Sequence, residues 1–175
     1  MKISMYRIAA DSFAPMLKNL SEFLDEGAAY AKDRDIDLVN SRLAPDMFTL
    51  AQQVQQACHY ARNGMARLAG HPAVPMGEVG TTLSRLKQQI AETLDFLRGV
   101  TAAEFEGAEA RDCGIEIPNG LMIEMDGMRF LTSWSLPHFY FHIVTAYDIL
   151  RHLGVVIGKK EYLNQVGSFI RAKAA

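Results

Sequence analysis

Apolar residues recur every three or four positions in four long stretches of the chain. That spacing places them on one face of an amphipathic helix. The stretches run from Ser12 to about Lys32, from near Met47 to Gly70, from Thr81 or Thr82 to Gly99, and from Ser135 to Gly154. The first three helices have similar lengths and a fourth follows, so the pattern predicts an antiparallel, all-α, up-and-down four-helix bundle. We expect residues 1–175 to form one domain.

Residues that begin and end helices support these four stretches. Ser12, Asp46 and either threonine before the third stretch carry side-chain oxygens that can accept from the first free backbone N–H groups. Ser135 is followed by Pro137, and proline is favoured in the first turn of a helix. A glycine ends each of the last three stretches, which is typical of a helix C-terminus.

The pattern changes between the third and fourth helices, where apolar and polar residues alternate. The alternating apolar positions are Ile115, Ile117, Leu121, Ile123 and Met125. Pro118-Asn119-Gly120 supplies turn residues at the centre of this segment. The alternation predicts a small β-hairpin at about residues 113–126, inserted before the last long helix.

Composition and charge narrow the possible partners and the location. The net charge of −2 and the isoelectric point near 6.2 provide no excess of basic residues for a phosphate backbone, so we expect no nucleic-acid partner. Met1 to Ala10 has no continuous apolar core, so we expect neither a secretion signal nor a membrane anchor, and a cytoplasmic location. Cys58 and Cys113 are far apart, which indicates neither a disulfide framework nor a thiolate zinc site.

The last helix carries the candidate chemistry. His138 and His142 are four residues apart, so both imidazoles lie on one side of the helix. One interpretation is that His142 is a core histidine hydrogen-bonded to a neighbouring helix. The other is a three-histidine metal site completed from another helix, with His59 as the third ligand. Helical geometry places His59 about 140° from the centre of its apolar stripe, toward solvent or a neighbouring chain.

The sequence leaves enzymatic activity open and favours self-association. It contains no nucleophile elbow, P-loop, dinucleotide fingerprint or His-Glu-x-x-His motif. Tyr140, Val144 and Tyr147 give the last helix a second apolar patch beside its core face. A patch of this kind predicts a partner surface, and we expect a homodimer.

Three segments resemble the DUF1993 family of uncharacterised bacterial proteins. The segments are Arg42-Leu43-Ala44-Pro45-Asp46-Met47, Ala66-Arg67-Leu68-Ala69-Gly70, and Leu136-Pro137-His138-Phe139-Tyr140-Phe141-His142 with Ala146-Tyr147-Asp148-Ile149-Leu150-Arg151-His152. The family is similar to the DinB and YfiT-like group of proposed metalloenzymes. In that group, a histidine of the second helix and a His-x-x-x-His pair on the last helix hold a divalent metal.

The resemblance implies a DinB-like bundle and, residue by residue, the metal ligands His138, His142 and His59. Imidazole ligands suit zinc, nickel, copper and iron alike, and zinc or nickel is the divalent metal we expect if one binds. The DUF1993 pattern usually has asparagine at the position of His138 and no histidine at that of His59. Two functions therefore remain open. One is a small-ligand-binding or stress-related module with a pocket around His142, and the other is a divalent-metal-dependent hydrolase or thiol transferase.

Overall fold

Four long helices form the body of the protein, as the sequence predicts. The computed structural model describes residues 4–117 and 120–171. The α-helices are α1 Met5–Ala31, α2 Leu50–Leu68, α3 Leu83–Gly99, α4 Gly127–Arg129, α5 Leu136–His152 and α6 Lys159–Tyr162. The strands are β1 Ile115–Ile117 and β2 Leu121–Ile123, and the short 3-10 helices are Ala102–Phe105, Ala108–Ala110 and Asn164–Phe169. The predicted fold class, an all-α four-helix bundle with a small hairpin before the last long helix, is confirmed.

The core lies between the apolar faces of the long helices. Phe13 of α1 and Phe139 of α5 are fully buried and meet edge to face, with their ring centroids 4.9 Å apart. Further toward the C-termini of the same two helices, the ring centroids of Phe23 and Tyr147 are 5.7 Å apart. Contacts between aromatic rings in these orientations add to the stability that burial alone provides.

The directions of the helices follow from which residues meet. Phe13 meets Phe139 and Phe23 meets Tyr147, so α1 and α5 run in the same direction. Gln55 of α2 and Gln89 of α3 donate to the adjacent carbonyl oxygens of Gly77 and Glu78, and seven residues further along both helices Arg62 lies over the ring of Phe96. Both numbers increase together, so α2 and α3 are also parallel to each other. The predicted up-and-down order, in which each long helix runs antiparallel to the one before it, is therefore wrong for this pair. The crossover between them, residues 69–82, must therefore run back along the bundle.

Three helix starts differ from the predicted positions. Helix α1 begins before the predicted Ser12, because Ser4 is the N-cap and its Oγ accepts from the backbone N–H of Arg7 at 3.4 Å. Helix α2 begins at Leu50 rather than near Met47, because Thr49 and Gln52 form a reciprocal capping box. Asp46 is therefore not the cap of α2.

The third difference concerns the predicted start at Ser135. The helical path begins after Asp126, whose carboxylate accepts from the N–H of Arg129 at 2.8 Å. A π-helix, Phe130–Ser135, then leads directly into α5. Ser135 has helical backbone angles, and its hydroxyl donates to the carbonyl oxygen of Tyr60 at 3.2 Å. Ser135 therefore connects the π-helix to α2 through this hydrogen bond and does not cap α5.

The predicted hairpin is present. Strands β1 and β2 pair antiparallel, with Ile115 opposite Ile123 and Ile117 opposite Leu121. An isolated bridge between Asp112 and Asp126 extends the pairing to the beginning of α4. The predicted turn residues Pro118 and Asn119 lie outside the described residues. Across the described part of the chain, no helix combines the length and apolar character needed to cross a membrane.

Candidate functional site

His142 is buried where α5 packs against α2. Its Nδ1 lies 2.7 Å from Oε1 of Gln53, which is 1% exposed. The amide nitrogen of Gln53 donates to the carbonyl oxygen of Phe48 at 3.4 Å, so the amide oxygen is the atom that faces the imidazole. Because an amide oxygen can only accept, Nδ1 of His142 carries the proton.

His138 has the same arrangement one helical turn earlier. Its Nδ1 lies 2.8 Å from the carbonyl oxygen of Trp134, so this nitrogen is also a donor. In a neutral imidazole the other nitrogen then has a free lone pair. Among the described residues, neither Nε2 of His138 nor Nε2 of His142 is engaged in a hydrogen bond. Both histidines therefore present a hydrogen-bond acceptor.

Aromatic rings surround the two imidazoles. The ring of Tyr60 lies within 18° of parallel to that of His138 at 4.5 Å, and within 14° of that of His142 at 5.6 Å. Trp134 also packs on His138, with the ring centroids 4.4 Å apart. Phe48 stacks on His142 at a centroid distance of 6.4 Å. We call Gln53, Tyr60, Trp134, His138 and His142 the histidine cluster.

Burial sets the charge state of His142. Loss of hydration is the main cause that lowers the pKa of His142 to about 4, and the nearby His138 lowers it further. His142 is thus neutral near pH 7. The pKa of Tyr60 is raised by burial, so its phenol keeps its proton at neutral pH. His142 therefore offers a neutral acceptor between aromatic rings.

The third predicted ligand, His59, lies outside this cluster. Its ring meets the edge of Tyr60 at 5.6 Å, but the side chain lines a cavity between α2 and α3. The expectation that His59 faces solvent or a neighbouring chain is met only in part, because the side chain is half-buried beside Val74 and Gly77 of the crossover 69–82. Its Nδ1 is buried and finds no hydrogen-bond partner among the described residues.

A three-histidine metal site requires three imidazoles that converge on one ion. His138 and His142 fit in one respect, since a metal-binding imidazole commonly donates its other N–H to a carbonyl oxygen. Within residues 4–117 and 120–171, no group of three or more histidine, cysteine, aspartate or glutamate side chains is placed to hold a metal ion. The described residues thus provide two imidazoles and not a full ligand set.

Comparison with known proteins places the chain in a family. The model of the family described as domain of unknown function, DUF1993, matches residues 5–163. The chain belongs to this family. A solved structure of a DinB family member from Shewanella denitrificans is 39% identical and covers 98% of this chain and 96% of its own, with a TM-score of 0.82. Among curated proteins, none matches. The DUF1993 assignment and the DinB-like fold confirm the resemblance that the sequence motifs indicate.

Two members of the histidine cluster had a signal in the sequence that was not recognised. Gln53 lies three residues after Leu50 and four before Ala57, so it falls within the apolar stripe of α2. Tyr60 follows Ala57 by three residues on the same side. A polar residue inside an apolar stripe requires a buried partner, and His142 was the available imidazole on the facing helix.

Proposed function

We propose that this DUF1993 protein is a small-ligand-binding module that uses the histidine cluster. The observation that carries the proposal is the shared tautomer of His138 and His142, which leaves two Nε2 acceptors among aromatic rings. A matching ligand has an aromatic or apolar body and a hydroxyl, amine or amide that donates a hydrogen bond. The aromatic rings provide contact area for the body of the ligand, and the two Nε2 acceptors fix its orientation by hydrogen bonds.

Nuclear magnetic resonance of the imidazole Cε1–H groups tests this proposal, with phenol and indole as probes. Toluene is the control, because it has a similar body without a donor. We expect phenol and indole to shift the resonances of His138 and His142, and toluene to shift them much less. If all three compounds act alike, or none acts up to its solubility limit, the proposal is wrong.

Asparagine variants separate the acceptor from the structural hydrogen bond. The amide nitrogen of asparagine reaches about as far as Nδ1, so His142→Asn keeps a donor for Gln53 and removes Nε2. We expect His142→Asn to abolish the phenol response while the helical circular dichroism persists. His152→Asn is the matched control, because His152 is exposed at the end of α5. Equal responses in the two variants would contradict a role for Nε2.

The second candidate is a divalent-metal-dependent hydrolase or thiol transferase. The observation that favours it is the same tautomer, because a lone pair on Nε2 is also what a zinc or nickel ion takes from imidazole. It requires a third ligand beside His138 and His142, and His59 is the predicted one. Elemental analysis of protein purified without a histidine tag or chelator tests it, before and after incubation with zinc or nickel. Metal at one equivalent that disappears in His142→Asn would support this candidate over metal-free binding.

A homodimer is the proposed assembly. Of the predicted patch, Tyr140 and Tyr147 pack against the core, whereas Val144 is 39% exposed. Its neighbour on α5, Phe141, is 58% exposed. Phe48, at 45% exposure, stacks on the adjacent His142 and extends this surface. We call Phe48, Phe141 and Val144 the α5 apolar face. Burial of these side chains against a second copy would remove apolar area from water.

A further inference from the structure

A cavity of about 80 Å³ lies between α2, α3 and the crossover 69–82. It exists because α2 and α3 are parallel, so the crossover must return along both helices and covers the groove between them. His59 and Arg62 line the cavity from α2, and Gln89 lines it from α3. Val74 and Gly77 line it from the crossover. It is on a different side of α2 from His138 and His142.

Side-chain amides hold the crossover in place over this cavity. The amide nitrogen of Gln89 donates to the carbonyl oxygen of Glu78 at 2.6 Å, and that of Gln55 donates to Gly77. Asn63 of α2 accepts from the backbone N–H of Val74 at 3.3 Å. Residues 74–78 are therefore attached to both helices, and the cavity has fixed walls.

Three residues of this cavity have a buried polar atom without a hydrogen-bond partner among the described residues. These atoms are Nδ1 of His59, Nε of Arg62 and Oε1 of Gln89. Buried polar atoms are nearly always paired, because an unpaired one loses its hydration without compensation. The bond from Gln89 to Glu78 fixes the amide, so Oε1 is an acceptor and Nε–H of Arg62 is a donor. A molecule that suits these atoms therefore both accepts and donates a hydrogen bond.

The charges around the cavity favour an anion. Arg85 and Glu92 line it as an ion pair at 2.9 Å and largely neutralise each other. Arg62 lies over the ring of Phe96 and forms no ion pair with any described residue. Burial lowers the pKa of His59, and the positive charges of Arg62 and Arg67 lower it further. One uncompensated positive charge thus remains beside His59.

Size limits the ligand to a few atoms. A cavity of about 150 Å³ accepts benzene, which has six non-hydrogen atoms. The present cavity, at about 80 Å³, has roughly half that volume. By proportion it accommodates about three or four non-hydrogen atoms. Formate, acetate, nitrate and bicarbonate fall in this range, whereas amino acids and nucleotides do not.

We propose that this cavity binds a small oxyanion that carries one O–H group, with bicarbonate as the representative ligand. An anionic oxygen accepts from Nε–H of Arg62, and the O–H group donates to Oε1 of Gln89. Nitrate has the same planar shape and charge but has no donor for Gln89. The site is independent of the histidine cluster, so failure of either proposal leaves the other intact.

The experiment follows the Nε–H resonance of Arg62 and the imidazole resonances of His59 during titration with sodium bicarbonate, with sodium nitrate and sodium chloride as matched salts. A ligand of four non-hydrogen atoms makes few contacts, so we expect a Kd on the order of 1 mM. Bicarbonate should saturate both resonances with one Kd, and nitrate should bind at least about tenfold more weakly. Equal binding of bicarbonate and nitrate, or no saturable shift with bicarbonate, overturns the proposal.

Two pairs of variants complete the test, with His59 as the reporter. Arg62→Met keeps the stem that packs on Phe96 and removes the donor, and Gln89→Met removes the acceptor. Their controls are Arg98→Met and Gln56→Met, because neither Arg98 nor Gln56 lines the cavity. We expect each cavity variant to weaken bicarbonate binding by about tenfold or more and each control to leave it unchanged. If one cavity variant does not fold, the other variant and the comparison of the two salts decide the matter. Binding that survives Gln89→Met in a folded protein overturns the proposal.

Discussion

The Nδ1 atom of His142 lies 2.7 Å from Oε1 of Gln53, and this hydrogen bond joins α5 to α2 inside the bundle. Gln53→Glu should therefore place a carboxylate against the imidazole and favour its protonated form. We expect the pKa of His142 to rise from about 4 to above the ordinary value of about 6.5. A pH titration of its Cε1–H resonance measures this change. An unchanged pKa in Gln53→Glu would show that the two side chains do not meet in solution.

Stability should fall as the pH decreases from about 6.5 to about 4. In this range the unfolded chain takes up a proton on His142, whose ordinary pKa is about 6.5, but the folded chain does not, because its pKa there is about 4. The full loss of stability is reached at pH values below the pKa of His142 in the folded protein. No loss from this group occurs above its pKa in the unfolded chain. We expect His142 to account for a loss on the order of 2 kcal/mol in the free energy of unfolding.

Urea unfolding at pH 7, 5.5 and 4.5 measures this loss in His142→Asn, which cannot titrate. The decrease between pH 7 and 4.5 should be smaller in this variant than in the natural protein. His152→Asn removes an exposed histidine and should keep the natural decrease. The same slope in all three proteins would mean that His142 is not the group that titrates.

Gly64 is placed where α2 approaches the π-helix most closely. A Cβ atom there would lie inside 3.0 Å of Oγ of Ser135 and 3.1 Å from Cζ of Phe13. We expect Gly64→Ala to lower the free energy of unfolding by about 1–3 kcal/mol, despite alanine's better helix propensity. Gly99→Ala is the control, because a Cβ at the end of α3 would meet nothing within 4 Å. Chemical denaturation of both variants checks the prediction, which fails if Gly64→Ala is as stable as Gly99→Ala.

The α5 apolar face predicts a dimer that polar substitution breaks. We expect light scattering to give twice the monomer mass for the natural chain and the monomer mass for Phe141→Ser combined with Val144→Ser. Val156→Ser is the control, since Val156 is 83% exposed beyond the C-terminus of α5 and outside this face. A monomer in the natural protein at all concentrations would refute the proposed assembly.

Helix content and the hairpin follow directly from the sequence because both depend on local periodicity. The apolar stripe through Leu86 and Ile90 identifies α3. Ile115 and Ile117 alternate as strand residues should, and they are paired in β1. The starts of α1 and α2 were less accessible, because several residues near each start can cap a helix and only the folded backbone selects one.

The histidine cluster was only partly predictable for a different reason. The spacing of His138 and His142 is local, so the pair could be recognised on one helix. Gln53 and Tyr60 belong to another helix, and the chain's periodicity does not specify which helices meet. The position of His59 depends on the crossover that makes α2 and α3 parallel, and no local pattern encodes that direction.

The π-helix Phe130–Ser135 determines how far α5 is rotated about the helix axis relative to the segment that follows the hairpin. Its backbone bond from the N–H of Leu136 to the carbonyl oxygen of Leu131 spans five residues, one more than in an α-helix. Deletion of the exposed Ser133 would restore an uninterrupted α-helix, but it would turn everything before it by about 100° relative to His138. Phe130 would leave the core or the imidazoles would leave Tyr60. The one extra residue of the π-helix therefore changes the direction of the side chains along the helix, so that Phe130 lies in the core while His138 and His142 lie beside Tyr60.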